Sequence, residues 1–263
     1  MLAPMEGCTD NAFRKLCHEH GADLTFTEMA RIDGLVRKNK VTLVRINILD
    51  DTPTVIQLIG SKEEQVEKFL KDFEPKKGFA GFNLNIGCAS PDMVNIGYGS
   101  AMIKRVSKVG KILKVIQDHD YKASVKMRLG LNKYEQDKKV YLNLINGVDA
   151  EFFVVHARTA NQTYEDDPDF SVYEGCVKTG KKIIANGGIY HPDHITFLEE
   201  AGVAGAMIGI EALKQPDIFD VLKGKKQVDK GDLIDEYKKL CEKFSTNNKY
   251  KENIIKFLET NSV

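Results

Sequence analysis

Eight times along the chain a short apolar run is followed by a turn and then by residues with helical spacing, and this alternation constrains the fold most strongly. The runs lie at residues 1–5, 24–29, 53–60, 82–86, 123–129, 152–156, 183–188 and 204–209. Helical spacing follows in Ala12, Phe13, Leu16 and Cys17, in Val66, Phe69, Leu70 and Phe73, and in Val109, Ile112, Leu113 and Ile116. A strand that always alternates with a helix predicts βα units around a parallel sheet. The runs are almost wholly apolar, as strands covered on both faces should be. A closed (β/α)₈ TIM barrel, an α/β fold, takes all eight in order. An open doubly wound sheet is the rival, but no G-x-G-x-x-G follows the first run.

Local signals add detail. Thr9 or Asp10 is placed to cap the first helix, and Ser61 with Glu64 reads as a capping box. Helices are expected over 34–39, 108–119, 134–145 and 192–201, with another opening at Pro216, and a polar loop over 158–169. After Leu222 the composition shifts. Residues 223–263 hold ten lysines against seven acids, net +3, which leaves residues 1–222 at −3. Helical spacing in Leu233, Ile234, Tyr237, Leu240, Cys241 and Phe244, and again in Ile254, Ile255, Phe257 and Leu258, predicts two short helices. The expected organisation is therefore a barrel over 1–222 and a short helical region over 223–263.

The whole chain is electrically neutral, so any binding of nucleic acid needs a local basic patch; the lysine-rich tail and Lys104-Arg105 are candidates, and a merely solvated face is the plainer reading. Five widely spaced cysteines without a C-x-x-C pair suit neither a zinc ribbon nor a disulfide framework. No metal is expected. Neither a signal-peptide pattern nor an apolar stretch of the ~20 residues a membrane helix needs is present, so a cytoplasmic protein without membrane contact is expected.

Polar residues fall where the apolar runs end. Glu28, Gln57, Asn83, Asn85, Lys126, Arg128, His156 and Asn186 all do so, and Cys88 lies just past its run. In a barrel these positions converge on the C-terminal mouth, where such folds do their chemistry. Cys88 is either a thiol at that mouth or a small buried hydrophobe. His156 taken alone reads as a core histidine. Lys126 is costly to bury unless it meets an anion or a polar ligand. The Gly187-Gly188 pair and Gly209 sit after the seventh and eighth runs, the usual phosphate grip of this barrel, although plain turns use such pairs as well.

These residues in this order resemble the tRNA-dihydrouridine synthases. The likeness rests on Ala3-Pro4-Met5-Glu6-Gly7-Cys8, Thr27-Glu28-Met29, Gln57-Leu58-Ile59-Gly60, Asn83-Leu84-Asn85-Ile86-Gly87-Cys88, Gly97-Tyr98-Gly99-Ser100-Ala101, Val125-Lys126-Met127-Arg128, His156-Ala157-Arg158-Thr159 and Asn186-Gly187-Gly188. The resemblance implies an FMN-binding barrel that reduces C5=C6 of a uridine in tRNA, with NADPH as reductant. It implies that Pro4, Met5, Gln57, Lys126, His156, Asn186, Gly187, Gly188 and Gly209 hold FMN. It also implies that Cys88 is the proton donor and that Asn85, Arg128 and Arg158 hold the substrate. The sequence departs from the family pattern at Ala89, where proline is usual, at Ile210-Glu211, where arginine is usual after Gly209, and in its short C-terminal region. Two other classes compete: an FMN barrel acting on a small pyrimidine such as dihydroorotate, and a flavin barrel that binds RNA without reducing it. A monomer is expected.

Overall fold

The computed structural model describes residues 1–260. Its strands are β1 (Thr25–Phe26), β2 (Ala30–Arg31), β3 (Thr54–Ile59), β4 (Phe79–Ile86), β5 (Ala123–Arg128), β6 (Phe153–His156), β7 (Ile183–Asn186) and β8 (Gly205–Met207). Every pairing between them is parallel. β1 and β2 both pair with β3 and make one interrupted stave. The remaining stave is the N-terminal segment, which closes the sheet between β1 and β8. Leu2 N donates to Leu24 O at 2.9 Å, Ala3 N to Ile208 O at 2.8 Å, and Ile208 N to Met1 O at 2.9 Å. The chain is a (β/α)₈ barrel.

Side chains alternate across each stave, and the two faces have different fates. Outward residues such as Ile56, Leu58, Phe82, Leu84, Val125, Met127, Phe153 and Val155 join the helices in the large core. Inward residues Ala3, Phe26, Val55, Phe152, Val154, Ile184 and Met207 form a separate cluster inside the barrel. Continuing the same inward parity toward the C-terminal ends places Gln57, Asn83, Asn85, Ser124, Lys126, Arg128, His156 and Asn186 above that apolar plug. Each large apolar side chain in the plug contributes about 1.5–3 kcal/mol relative to exposure, so the lower barrel needs no polar help to hold its shape.

Local expectations are met with some shifts. Asp10 caps the Asn11–Glu19 helix, accepting from Phe13 N. The Ser61–Glu64 box does not form, because Lys62 takes the cap position and the helix Glu63–Leu70 starts one residue later. The single helix expected over 34–39 is two, Ile32–Val36 and Lys40–Arg45, separated by Lys38 in the left-handed region. Lys139 at φ 54° likewise splits the helix expected over 134–145 into Lys133–Asp137 and Val140–Gly147. After Gly209 come two short helices, Ile210–Lys214 and Ile218–Leu222.

The tail forms helices Lys230–Phe244 and Asn248–Thr260. They bury Leu233, Tyr237, Leu240, Cys241, Ile254 and Leu258. Tyr237 meets Phe13 edge-on at 6.3 Å, which seats the first of these helices on Asn11–Glu19. The last three residues of the 223–263 region lie outside the described residues. Among the described residues no helix is long and apolar enough to cross a membrane.

Candidate active site

The strand register sets the site. Gln57 pairs with Asn83, and Asn83 with Ser124. Asn85 pairs with Lys126, Arg128 with His156, and His156 with Asn186. Residues in register share a face, so these side chains form two adjoining walls at the mouth.

One wall is a chain of amides. Gln57 Nε2 donates to Asn83 Oδ1 at 2.8 Å, and Asn83 Nδ2 to Ser124 Oγ at 2.9 Å. Asn85 Nδ2 donates to Gln57 Oε1 at 2.9 Å. Asn85 Oδ1 then accepts from Gly87 N at 3.0 Å and from Cys88 N at 2.8 Å. The amide chain thereby ends on the turn that carries the thiol. The far side of that turn is held as well. Cys88 O accepts from Ser100 N at 3.0 Å and from Ser100 Oγ at 2.9 Å. A Cβ on Gly99 would lie 2.5 Å from Cys88 O, and its φ of +56° favours glycine in any case. Cys88 itself is a free, half-buried thiol, not a core hydrophobe.

The other wall carries charge. Lys126 Nζ donates to Asn186 Oδ1 at 2.9 Å, and Asn186 Nδ2 passes the chain to Met207 O at 2.8 Å. Burial, with Arg128 beside it, lowers Lys126 to about 7. Among the described residues neither Lys126 nor Arg128 has a carboxylate partner. His156 is buried, and its Nδ1 has no hydrogen-bond partner. Burial first, then Lys126, Arg128 and Arg158, press its pKa to about 2, so the ring is neutral. The two arginines hold the loop that follows β6. Arg128 Nη1 donates to Thr159 O at 2.6 Å, and Arg158 Nε to Asp166 O at 2.6 Å. That loop brings the ring of Tyr164 edge-on to His156 at 6.4 Å.

The glycines line the same opening. Gly187 has φ +99°, and a Cβ there would lie 2.8 Å from His156 Nε2. One on Gly188 would lie 2.8 Å from Pro168 Cγ. A Cβ on Gly209 would meet Ala3 Cβ at 3.4 Å and Met5 Sδ at 3.7 Å, which puts Pro4 and Met5 beside the end of β8. All thirteen residues proposed from the sequence therefore gather at one mouth. Reading the sequence did not single out Ser124, Tyr164 or Tyr173. The Tyr173 hydroxyl accepts from Asn186 N at 3.0 Å and lies 3.0 Å from Val155 O. Ser124 is revealed by its inward place on β5, Tyr164 by its loop, and Tyr173 by its burial on the helix Val172–Val177 beneath β7.

Comparison with known proteins follows the same lines. The family model "Dihydrouridine synthase" matches residues 1–262. The chain belongs to the dihydrouridine synthase family. Within it, the chain is 33% identical over 227 residues to a "Probable tRNA-dihydrouridine synthase" of Helicobacter pylori, covering 83% of this chain and 68% of that one. It is 30% identical over 224 residues to "tRNA-dihydrouridine synthase B" of Pseudomonas putida, covering 83% and 66%. It thus spans about two thirds of the length of these family members. Among solved structures, the old yellow enzyme from Trypanosoma cruzi superposes with a TM-score of 0.56 at 10% identity, covering 87% of this chain and 88% of that one, and so shares the barrel.

The family's mouth suits a flavin on the observations above. Lys126 has ammonium protons to spare, His156 Nδ1 lacks a partner, and Gly187 and Gly188 take left-handed backbone conformations against His156 and Pro168 that leave no room for a Cβ.

Proposed function

We propose that this chain is a flavin-dependent reductase that converts a uridine of tRNA to dihydrouridine. The observation that carries the reading is a free thiol, held at the rim by Asn85 and Ser100, beside a wall of cations without carboxylate partners. FMN would be held by Pro4, Met5, Gln57, Lys126, His156, Asn186, Gly187, Gly188 and Gly209; when bound it supplies the hydride, and NADPH restores it. Lys126 stabilises negative charge at its site, a role that an ammonium lacking a carboxylate can fill. Cys88 Sγ–H delivers the proton that the C5 carbon of the uracil requires. Asn85 spends one Nδ2 proton on Gln57 and keeps the other for a uracil carbonyl. Arg128 and Arg158 fix the loop of residues 157–169 and offer their remaining donors to the base or a nearby phosphate. The half-buried position of Cys88 requires the base to leave its stack, as enzymes acting on a base require. The relatives' names carry the tRNA part of this reading.

The test is an absorbance spectrum of the purified protein, followed by dihydrouridine content of tRNA incubated with it and NADPH. A yellow protein that raises dihydrouridine bears the proposal out. A yellow protein that oxidises NADPH and leaves tRNA unchanged replaces it with a small-pyrimidine oxidoreductase. A protein that takes up no FMN overturns it.

A further inference from the structure

The helix Lys230–Phe244 is seated on Asn11–Glu19, and Asn248–Thr260 on Ile210–Lys214 and on Lys230–Phe244, yet the tail also reaches the mouth. Asn253 Nδ2 donates to Gly7 O at 3.0 Å. Gly7 N donates to Glu28 Oε1, and the Tyr250 hydroxyl donates to the other oxygen of that carboxylate. Thr246 Oγ1 donates to Asp10 Oδ2 at 2.7 Å, on the same connection between the first stave and the first helix. The peptide units on both sides of Gly7 are therefore gripped, one by Glu28 between β1 and β2 and one by the final helix. Gly7 has φ +74° and no side chain to restrict it, so the turn depends on outside contacts for its shape.

The turn leads to the site. Met5 N donates to Thr9 Oγ1 at 3.1 Å, and Met5 O accepts from Cys8 N at 3.2 Å and Thr9 N at 3.1 Å. Met5 Sδ in turn abuts Gly209. Glu28 is 2% exposed, and a carboxylate at that depth is costly without donors aimed at it. Its two donors come from the turn and from the tail. Arg14, also buried, lies below, donating to Thr9 O at 2.6 Å and Asn47 O at 2.9 Å. Docking alone needs none of this, because Tyr237, Leu240, Ile254 and Leu258 already bury the helices.

We propose that Tyr250 and Asn253 are positioning residues for the mouth: through Glu28 and Gly7 they hold the Pro4–Gly7 turn in the form that receives the cofactor, so that cofactor affinity depends on the final helix. The inference rests on the reading that Pro4 and Met5 contact the flavin. It makes the tail a part of the barrel's site, beyond any contact it makes with RNA.

The experiment compares FMN dissociation constants by flavin fluorescence, at low temperature, for the full-length wild type, Tyr250→Phe/Asn253→Ala and His20→Ala. His20 is the control, because its 2.7 Å contact with Glu236 ties the other tail helix, Lys230–Phe244, to the end of Asn11–Glu19 away from the mouth. The double variant is expected to bind FMN about tenfold more weakly, as two lost hydrogen bonds of about 0.7 kcal/mol each would give. His20→Ala should stay within about twofold of wild type. Should the double variant not fold, Asn253→Ala alone, which removes only the grip on Gly7 O, is expected to weaken binding about threefold. Wild-type affinity in the folded Tyr250 and Asn253 variants would overturn the inference. So would equal weakening in His20→Ala, which would reduce the effect to docking in general. A wild type that takes up no FMN overturns the flavin reading itself, a different result from either.

Discussion

Gln57, Asn83, Asn85 and Ser124 line one wall of the barrel's interior, and Lys126, Arg128, His156 and Asn186 line the wall beside it. The first wall is closed. Its amide oxygens and nitrogens meet one another, and the chain runs out on the backbone of Gly87 and Cys88. The second wall is open. It has a lysine with a single amide partner, a histidine nitrogen with none, and no carboxylate against Lys126 or Arg128. Both are polar groups withdrawn from water, and withdrawal is costly in each. The closed wall recovers that cost within the fold and fixes geometry. The open wall recovers it only when something else binds. Polarity inside a barrel thus grades from scaffold toward site as its hydrogen bonds become less complete, and Gln57 and Asn85, each with one amide proton unspent, take part in both.

Cys88 is where the two walls meet, and its removal is the largest expected effect. Asn85 of the closed wall holds its backbone, while its thiol serves the open one. Cys88→Ala should lower uridine reduction about 10²–10⁴-fold, the span of a general acid, and leave FMN content unchanged. Activity surviving in that variant would remove Cys88 as the proton donor.

Lys126→Met tests the open wall. With the cation gone, turnover should fall about 10²–10³-fold, as when one preorganised charge donor is lost. The apo protein should at the same time become more stable, because a buried cation without a carboxylate is replaced by an apolar side chain of similar length. Asn83→Ala tests the closed wall and should do the reverse. It strands Gln57 Nε2, at about 1–3 kcal/mol for an unsatisfied group, leaves Ser124 Oγ only its bond to Phe82 O, and should lower the urea midpoint. Equal signs for the two stability changes would erase the distinction between the walls.

Much of this was legible in the sequence, for a physical reason. Strand runs are local, and polar residues at their ends stand out against apolar neighbours, so Gln57, Lys126, His156 and Asn186 could be gathered before any coordinates. Which of them are satisfied was not legible. That depends on register across neighbouring staves, as when Asn83 falls beside Ser124. The tie from Tyr250 to Glu28 spans 222 residues and two elements whose docking no spacing rule describes. Helix breaks at Lys38 and Lys139 were hidden too, because a lysine in the left-handed region carries no local signature.

The smallest expected effects are in the pH dependence of apo stability, and they separate the walls once more. His156 is held near 2 in the fold against an ordinary 6.5. Between those values the unfolded chain binds a proton that the folded one refuses, so stability falls as pH drops through that window. Lys126 is held near 7 against an ordinary 10.5. Between those values the unfolded chain again binds the extra proton, so stability rises from neutral pH into the alkaline range. Each residue's share should be lost with it: His156→Gln should reduce the slope on the acid side, to which the lowered Asp23 and Asp33 also contribute, and Lys126→Met should reduce the rise above neutral pH. Asn83→Ala, which removes no charge, should lower the whole curve and keep both slopes. Urea midpoints at a series of pH values decide this. A slope that changes in Asn83→Ala would mean that the closed wall also sets the charge state of the open one, and the two would have to be treated as a single network.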